Sequence, residues 1–279
     1  MQGTSSLFFI ILMGALAIVF NAVAIRRSIF VLPKEREKWA PVWWHALLAF
    51  AFFIIVGYLI AIVFTKMLHH QFGPFRSINY ASTINLLRVV VLIVFLFCLF
   101  SGERKMAFKR LWRKHYNVSL WKDARYGILI LIAAYPTVAF IEMGIEWILV
   151  HSFDFVIPSQ DAVLYLRESL KHPYSFTVAL FSILIFAPFF EELMFRGFLQ
   201  TLLRKYIGPK ASILITSLAF AFFHFTPRQS MNNIAIITAL FALSLYLCIA
   251  YEKRRSLMTT ISAHAAFNLF STIAIIYSV

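Results

Sequence analysis

The chain has 279 residues, of which 61% are hydrophobic and only 14% charged, and its mean hydropathy is +0.81. Water-soluble domains run roughly 45–50% apolar and about 25% charged, so a soluble fold is excluded and lipid must supply part of the solvent. The net charge of +14 suggests nucleic acid at first sight, yet no basic face is interleaved with base-stacking aromatics, and the charge is spread between apolar runs.

Eight apolar stretches follow one another, at 6–25, 44–66, 82–100, 126–150, 174–203, 211–225, 233–251 and 257–279. Most match the ~20 residues that cross a ~30 Å hydrocarbon core, and none alternates as barrel strands do. The expectation is an all-α, polytopic integral membrane protein with about eight transmembrane helices. The chain, 1–279, reads as a single membrane domain, with four N-terminal spans in 1–150 and the chemistry-bearing spans in 174–279.

In the first span, Ala22-Val23-Ala24 has the form of a signal-peptide cleavage site. Residues 1–5 carry no Lys or Arg, however, and Arg26-Arg27 directly follow the apolar run. Those flanks favour an uncleaved anchor with its N-terminus outside. Lys and Arg number five in 26–43, one in 67–81, eight in 101–125, two in 151–173, three in 204–210, one in 226–232 and three in 252–256. The alternation, nineteen against four, predicts the rich loops in the cytosol and both termini outside, and attraction of the rich loops to anionic lipid. A bacterial inner membrane is the expected location. The 151–173 segment, with Pro158 and Pro173, reads as the longest external loop. Cys98 and Cys248 lie inside apolar runs with no CxxC pair, so both are expected as buried small hydrophobes.

Charge inside a span is expensive and is a functional hypothesis by default. Arg88 in the third span and Glu142 and Glu146 in the fourth form one set, with Glu142 and Glu146 on one helix face. A structural ion pair between Arg88 and Glu146 is the plain expectation, and a proton or ion relay through Glu142 the functional one.

The fifth span holds Ala187-Pro188-Phe189-Phe190-Glu191-Glu192-Leu193-Met194-Phe195-Arg196-Gly197. Glu192 and Arg196 are four apart and can pair on one face, which leaves Glu191 without a local partner, free to serve as a general base. Pro188 can bend the helix just upstream. Phe220 precedes His224 by one turn, and His264 precedes Asn268 by one turn. A carboxylate, two histidines and an amide at membrane depth are the parts that peptide-bond hydrolysis needs. Glu191 would activate a water, His224 orient it or shuttle its proton, and His264 and Asn268 hold the oxyanion. Taken singly, each of these polar residues could equally be glue between helices.

Glu-Glu-x-x-x-Arg at 191–196, Phe-x-x-x-His at 220–224 and His-x-x-x-Asn at 264–268 resemble the three motifs of the CPBP family. This is the CAAX-protease and bacteriocin-processing (Abi) group, which includes the type II CAAX prenyl endopeptidases. The likeness covers about 174–279. It implies an intramembrane endopeptidase with Glu191 as base, His224 as its partner, His264 and Asn268 at the oxyanion, and Glu192 and Arg196 in support. The implied partners are membrane lipid and a peptide or lipidated protein substrate, with no nucleic acid. Family members often carry Thr-Gly ahead of the Ser-Leu pair, where this chain has Arg254-Arg255. Zinc could sit on Glu191, His224 and His264 with an open position, but HExxH is absent, and a metal-free, glutamate-driven mechanism with no cofactor is favoured. Two other classes compete: a non-catalytic binding or bacteriocin self-immunity protein on the same scaffold, and a transporter using Glu142, Glu146 and Glu191. The transporter would predict internal repeats, which are not evident.

One geometrical difficulty is expected. At ~1.5 Å per residue, His264 lies about 10 Å from the inner edge of its span and His224 about 20 Å from the inner edge of its own. They meet only if the sixth span starts deeper or tilts.

Overall fold

The computed structural model describes residues 2–32, 47–48, 50–52, 54–55, 78–99 and 119–277. These are predominantly helical, and no strand runs through them. They comprise α1 (Gln2–Arg26), α2 (Ile78–Leu99), α3 (Leu120–Phe153), α4 (Asp161–Ser169), α5 (Pro173–Phe181), α6 (Ala187–Glu192), α7 (Thr201–Phe223), α8 (Asn233–Arg254) and α9 (Leu257–Tyr277). Two π-helical stretches, Ser182–Phe186 and Leu193–Gln200, join α5 to α6 and α6 to α7, and a 3₁₀ turn, Pro227–Asn232, precedes α8.

Six of these helical runs are long and apolar enough to cross a membrane. One of them, Pro173–Phe223, is 51 residues long and does not run straight. Gly208 takes φ 82° and ψ 174°, Pro209 follows, and the chain reverses. Only glycine adopts that backbone without strain, and the proline cannot continue the hydrogen-bond ladder. Phe195 and Phe220 then meet edge-on across the reversal, 5.1 Å between ring centres. The described residues thus hold two antiparallel limbs where the run suggests one helix, which matches the expected fifth and sixth spans. The expected second span, 44–66, lies outside the described residues except for a few positions such as Phe50 and Phe52.

Helix α3 packs on α1, α8 and α9, while α2 packs on α4 and α5. Gly127 sets the closest approach, because a Cβ there would collide with the Thr259 carbonyl and the Ser262 hydroxyl of α9. Pro136 sits inside α3 without breaking it. Asn21, Thr137 and Tyr246 stitch α1, α3 and α8 together: Asn21 Nδ2 donates to Thr137 Oγ1 at 2.9 Å, and the Tyr246 hydroxyl donates to Asn21 Oδ1 at 2.6 Å. One apolar cluster, with Ala134, Val138, Leu243, Leu247 and Ala263, packs α3, α8 and α9 together, and another gathers Phe190, Leu193, Phe195, Phe198, Phe220 and Leu257 with Leu92 and Leu96 of α2.

The loops sort to two ends. Lys253 donates to the Ser28 carbonyl, Arg254 Nε to Asp123 at 2.9 Å, and Arg204 Nε lies 2.6 Å from Glu252, which gathers the basic segments at one end. At the other end Arg228 pairs with Asp161 at 3.1 Å, and Tyr165 meets Ser82 at 2.7 Å. The 151–173 segment is not simply a loop; it forms α4, whose Leu166 and Ser169 are buried. Arg255, in the turn between α8 and α9, takes φ 50° at the site where the resembling family often has glycine. Its guanidinium reaches Glu252 at 3.4 Å and lies over the Tyr251 ring, contacts that hold a left-handed residue with a Cβ in place.

Two expectations are corrected. Arg88 does not pair with Glu146: it reaches Asn85 at 3.5 Å on its own helix, because α2 and α3 pack on different neighbours. Cys98 is exposed on the face of α2, whereas Cys248 is buried as expected.

Candidate functional site

Glu191 and Glu192 sit at the end of α6, where the backbone passes into the second π-helical stretch. Such widened turns displace successive side chains from the α-helical register and recur at functional sites. Glu192 is fully buried and points into the bundle, while Glu191 keeps 14% of its side-chain surface. Arg196 Nη1 donates to Glu192 Oε1 at 3.0 Å, in keeping with their spacing of four. Buried charges persist only when paired, and this pair has a third member: His264 Nδ1 lies 2.8 Å from the same Glu192 oxygen.

His224 ends α7, where the helix unwinds to φ −93° and ψ 2°. Its Nδ1 lies 2.9 Å from the Phe220 carbonyl. Both histidines therefore face an acceptor through Nδ1, a backbone carbonyl in one case and an Arg-paired carboxylate in the other. An acceptor requires a donor, so Nδ1 carries the proton in each ring and the neutral ring presents a bare Nε2. Both Nε2 atoms turn toward Glu191 Oε2, at 3.7 Å from His224 and 3.9 Å from His264. These separations exceed hydrogen-bond length. Glu191 Oε2 is buried and has no hydrogen-bond partner among the described residues. Three acceptors thus converge on one small space with no donor of the described residues between them.

The two histidines meet despite their unequal depths because Gly208 is a fulcrum. Glu191 stands seventeen residues before it and His224 sixteen after it, so the antiparallel limbs bring them level. His264 arrives on α9 from the same end of the bundle. Phe220 fills the space between the groups, 4.9 Å from the His224 ring and 5.9 Å from that of His264, with the Arg196 guanidinium 4.6 Å from its own centre. Side-chain exposure rises from Glu192 at 0% through His264 at 6% to His224 at 29%, so the site is most exposed on the His224 side.

Asn268 is not gathered into this cluster by its hydrogen bonding. Its Nδ2 donates to the Ile183 carbonyl at 2.8 Å, capping a carbonyl in the first π-helical stretch. An amide nitrogen has two hydrogens, so one remains. Among the described residues, no three His, Cys, Asp or Glu side chains converge as metal ligands. Donors around a tetrahedral zinc stand roughly 3.3 Å apart, closer than the two Glu191–histidine separations here.

Three further features escape a reading of the sequence. Ser244 of α8 accepts from Arg196 Nη2 at 2.8 Å, behind the Glu192–Arg196 pair. Gln200 donates to the Cys248 carbonyl and to Glu252, each at 3.0 Å, continuing a buried polar seam toward the basic end. An apolar cavity of about 440 Å³, lined by Phe50, Phe195, Leu199, Leu202 and Phe223 among others, lies one aromatic layer behind the histidines. A repeat of polar residues at 196, 200 and 204 was the one signal that could have pointed to the seam.

Compared with known proteins, residues 173–270 match the family model described as type II CAAX prenyl endopeptidase Rce1-like. No curated protein and no solved structure gives a match. The matched segment contains all three motifs, so the resemblance to CAAX proteases stands on this domain.

Proposed function

We propose that this integral membrane protein, whose 173–270 segment matches the Rce1-like CAAX-protease model, hydrolyses a peptide bond of a membrane-associated or lipidated substrate. The observation that carries the proposal is Glu191 Oε2, a buried carboxylate oxygen facing Nε2 of His224 and Nε2 of His264, with no hydrogen-bond donor to it among the described residues. A water molecule placed among these groups donates to two of them, Glu191 Oε2 and one histidine nitrogen. Separations of 3.7 and 3.9 Å suit a bridging water better than direct contact.

In this mechanism Glu191 takes one proton of the water as its oxygen attacks the scissile carbonyl carbon. The C–N bond then breaks as Glu191 returns that proton to the departing amine. His224 aligns the water through Nε2. His264, fixed at Nδ1 by Glu192, stands beside the oxyanion that forms. The second amide hydrogen of Asn268 serves the same oxygen. The steps require no metal. The apolar cavity behind Phe195 suits a hydrocarbon chain. The gathering of the basic segments at one end supports placing that end in the cytosol and both termini outside.

The test is cleavage of a fluorogenic prenylated CAAX peptide and of a panel of membrane peptides by purified protein in liposomes. Wild type is expected to cleave with or without chelator, and Glu191→Ala to be inactive. Cleavage that disappears with chelator and returns with zinc would replace this mechanism by a metal-dependent one. A folded wild type that cleaves nothing would favour a binding protein.

A further inference from the structure

We infer that Ser244 is a positioning residue that fixes the proton of His264 through Arg196 and Glu192. It lies on α8, outside all three motifs. Its Oγ accepts from Arg196 Nη2 at 2.8 Å, and its carbonyl lies 3.5 Å from the same nitrogen. Arg196 Nη1 donates to Glu192 Oε1, which also accepts from His264 Nδ1. Ser244, Arg196 and Glu192 are each fully buried, and His264 is 5% exposed. Water is therefore not at hand to replace any member.

The guanidinium has five N–H donors held in one plane. Its Nε finds no acceptor among the described residues, so the plane is oriented by Glu192 at one nitrogen and by Ser244 at another. With the Ser244 hydroxyl gone, Glu192 is the hydrogen-bonding side chain that remains among these contacts, and the guanidinium, held otherwise by the Phe220 face and the long contact to the Ser244 carbonyl, can tilt about its bond to Glu192. Glu192 Oε1 then loses a fixed charge partner while still facing His264. The Nδ1–H tautomer, and with it the bare Nε2 toward Glu191, is no longer enforced. The buried seam brings Ser244 to this position. Arg196 meets Ser244 and Gln200 meets Cys248, each pair 48 residues apart, so α8 runs in register beside the limb that carries the glutamates.

This inference rests on the peptidase proposal for its kinetic consequence but not for its structural one, and the experiment reads both. Histidine-¹⁵N-labelled protein in liposomes gives the tautomer of His264, assigned by difference from His264→Gln. The same preparations give kcat and KM on a cleaved peptide. Wild type is expected to show His264 protonated at Nδ1 and bare at Nε2. Ser244→Ala is expected to lose that signature and to lower kcat about tenfold to a hundredfold with KM unchanged. Ser244→Thr, which restores a hydroxyl, should recover both, and Thr177→Ala, which removes an exposed hydroxyl bonded to the Pro173 carbonyl on α5, should alter neither. If Ser244→Ala does not fold, Ser244→Cys, similar in volume with a weak acceptor, is read in the same way. An unchanged His264 signature in the folded variant overturns the inference. If wild type cleaves nothing, the peptidase proposal fails while the nitrogen signature still decides the role of Ser244.

Discussion

Two polar clusters lie inside this membrane bundle, and they are built on opposite terms. Around Asn21, every side-chain hydrogen-bonding group finds a complement: Asn21 Nδ2 also donates to the Ala17 carbonyl at 2.8 Å, and Thr137 Oγ1 donates to Ala133 at 3.0 Å and meets Tyr246 at 3.1 Å. Around Glu191, three acceptors face one another and no donor of the described residues intervenes. In hydrocarbon a satisfied cluster acts as an adhesive, and an unsatisfied one invites a guest that brings protons. The difference separates structural polarity from functional polarity more surely than residue type does, since both clusters combine an amide or carboxylate with neighbours that donate and accept.

The largest expected effect belongs to the open cluster. Glu191→Gln keeps the shape and removes the base, so kcat/KM on a cleaved peptide should fall about 10³-fold, with thermal unfolding in detergent little changed. A variant that keeps most of its activity would show that the converging acceptors do no chemistry. Next comes a steric test away from either cluster. Gly127→Ala forces α3 off α9 at the Thr259 carbonyl and should lower stability by about 1–3 kcal/mol. Because α9 carries His264, activity should drop with stability rather than ahead of it, as unfolding and cleavage measured on one preparation would reveal.

The closed cluster should respond the other way round. Asn21→Ala removes the acceptor of the Tyr246 hydroxyl, which keeps Thr137 at 3.1 Å, and is expected to cost about 1 kcal/mol, read as earlier unfolding in bicelles, with kcat unchanged. A fall in kcat without a fall in stability would erase the distinction between the clusters. The smallest effect is expected at the turn before α9. Arg255→Gly relieves the backbone at φ 50° but gives up the contacts to Glu252 and Tyr251, so the two terms nearly cancel, and unfolding should shift by less than about 1 kcal/mol in either direction.

What was legible in the sequence was local or compositional. Hydropathy set the helices, loop charge predicted which segments gather at which end, and a spacing of four pointed to the Glu192–Arg196 pair. The four residues Glu191, His224, His264 and Asn268 stood out because polarity in a span is rare, and the first three do converge. Their meeting was not legible, because depth counted along separate helices says nothing of a reversal at Gly208 with near-equal arms. Arg88 and Glu146 were matched by charge and depth alone, and neighbour choice between helices undid that match. Ser244 was invisible for a different reason: a lone serine in a helix has no signature until a guanidinium is found beside it. Asn268 was identified as a polar residue of interest, but its bond to Ile183 depends on a π-helical stretch that no local pattern announced.

The reversal at Gly208 also constrains how the gene can change. A codon inserted into one arm alone, anywhere between Glu191 and the glycine or between the glycine and His224, would slide one side chain past the other by about 1.5 Å and swing it by about 100°. Compensation requires a second insertion in the other arm. Length variation in this hairpin is therefore expected to be inherited in pairs straddling Gly208, whereas the loops at either end of α4 are free to gain or lose residues singly.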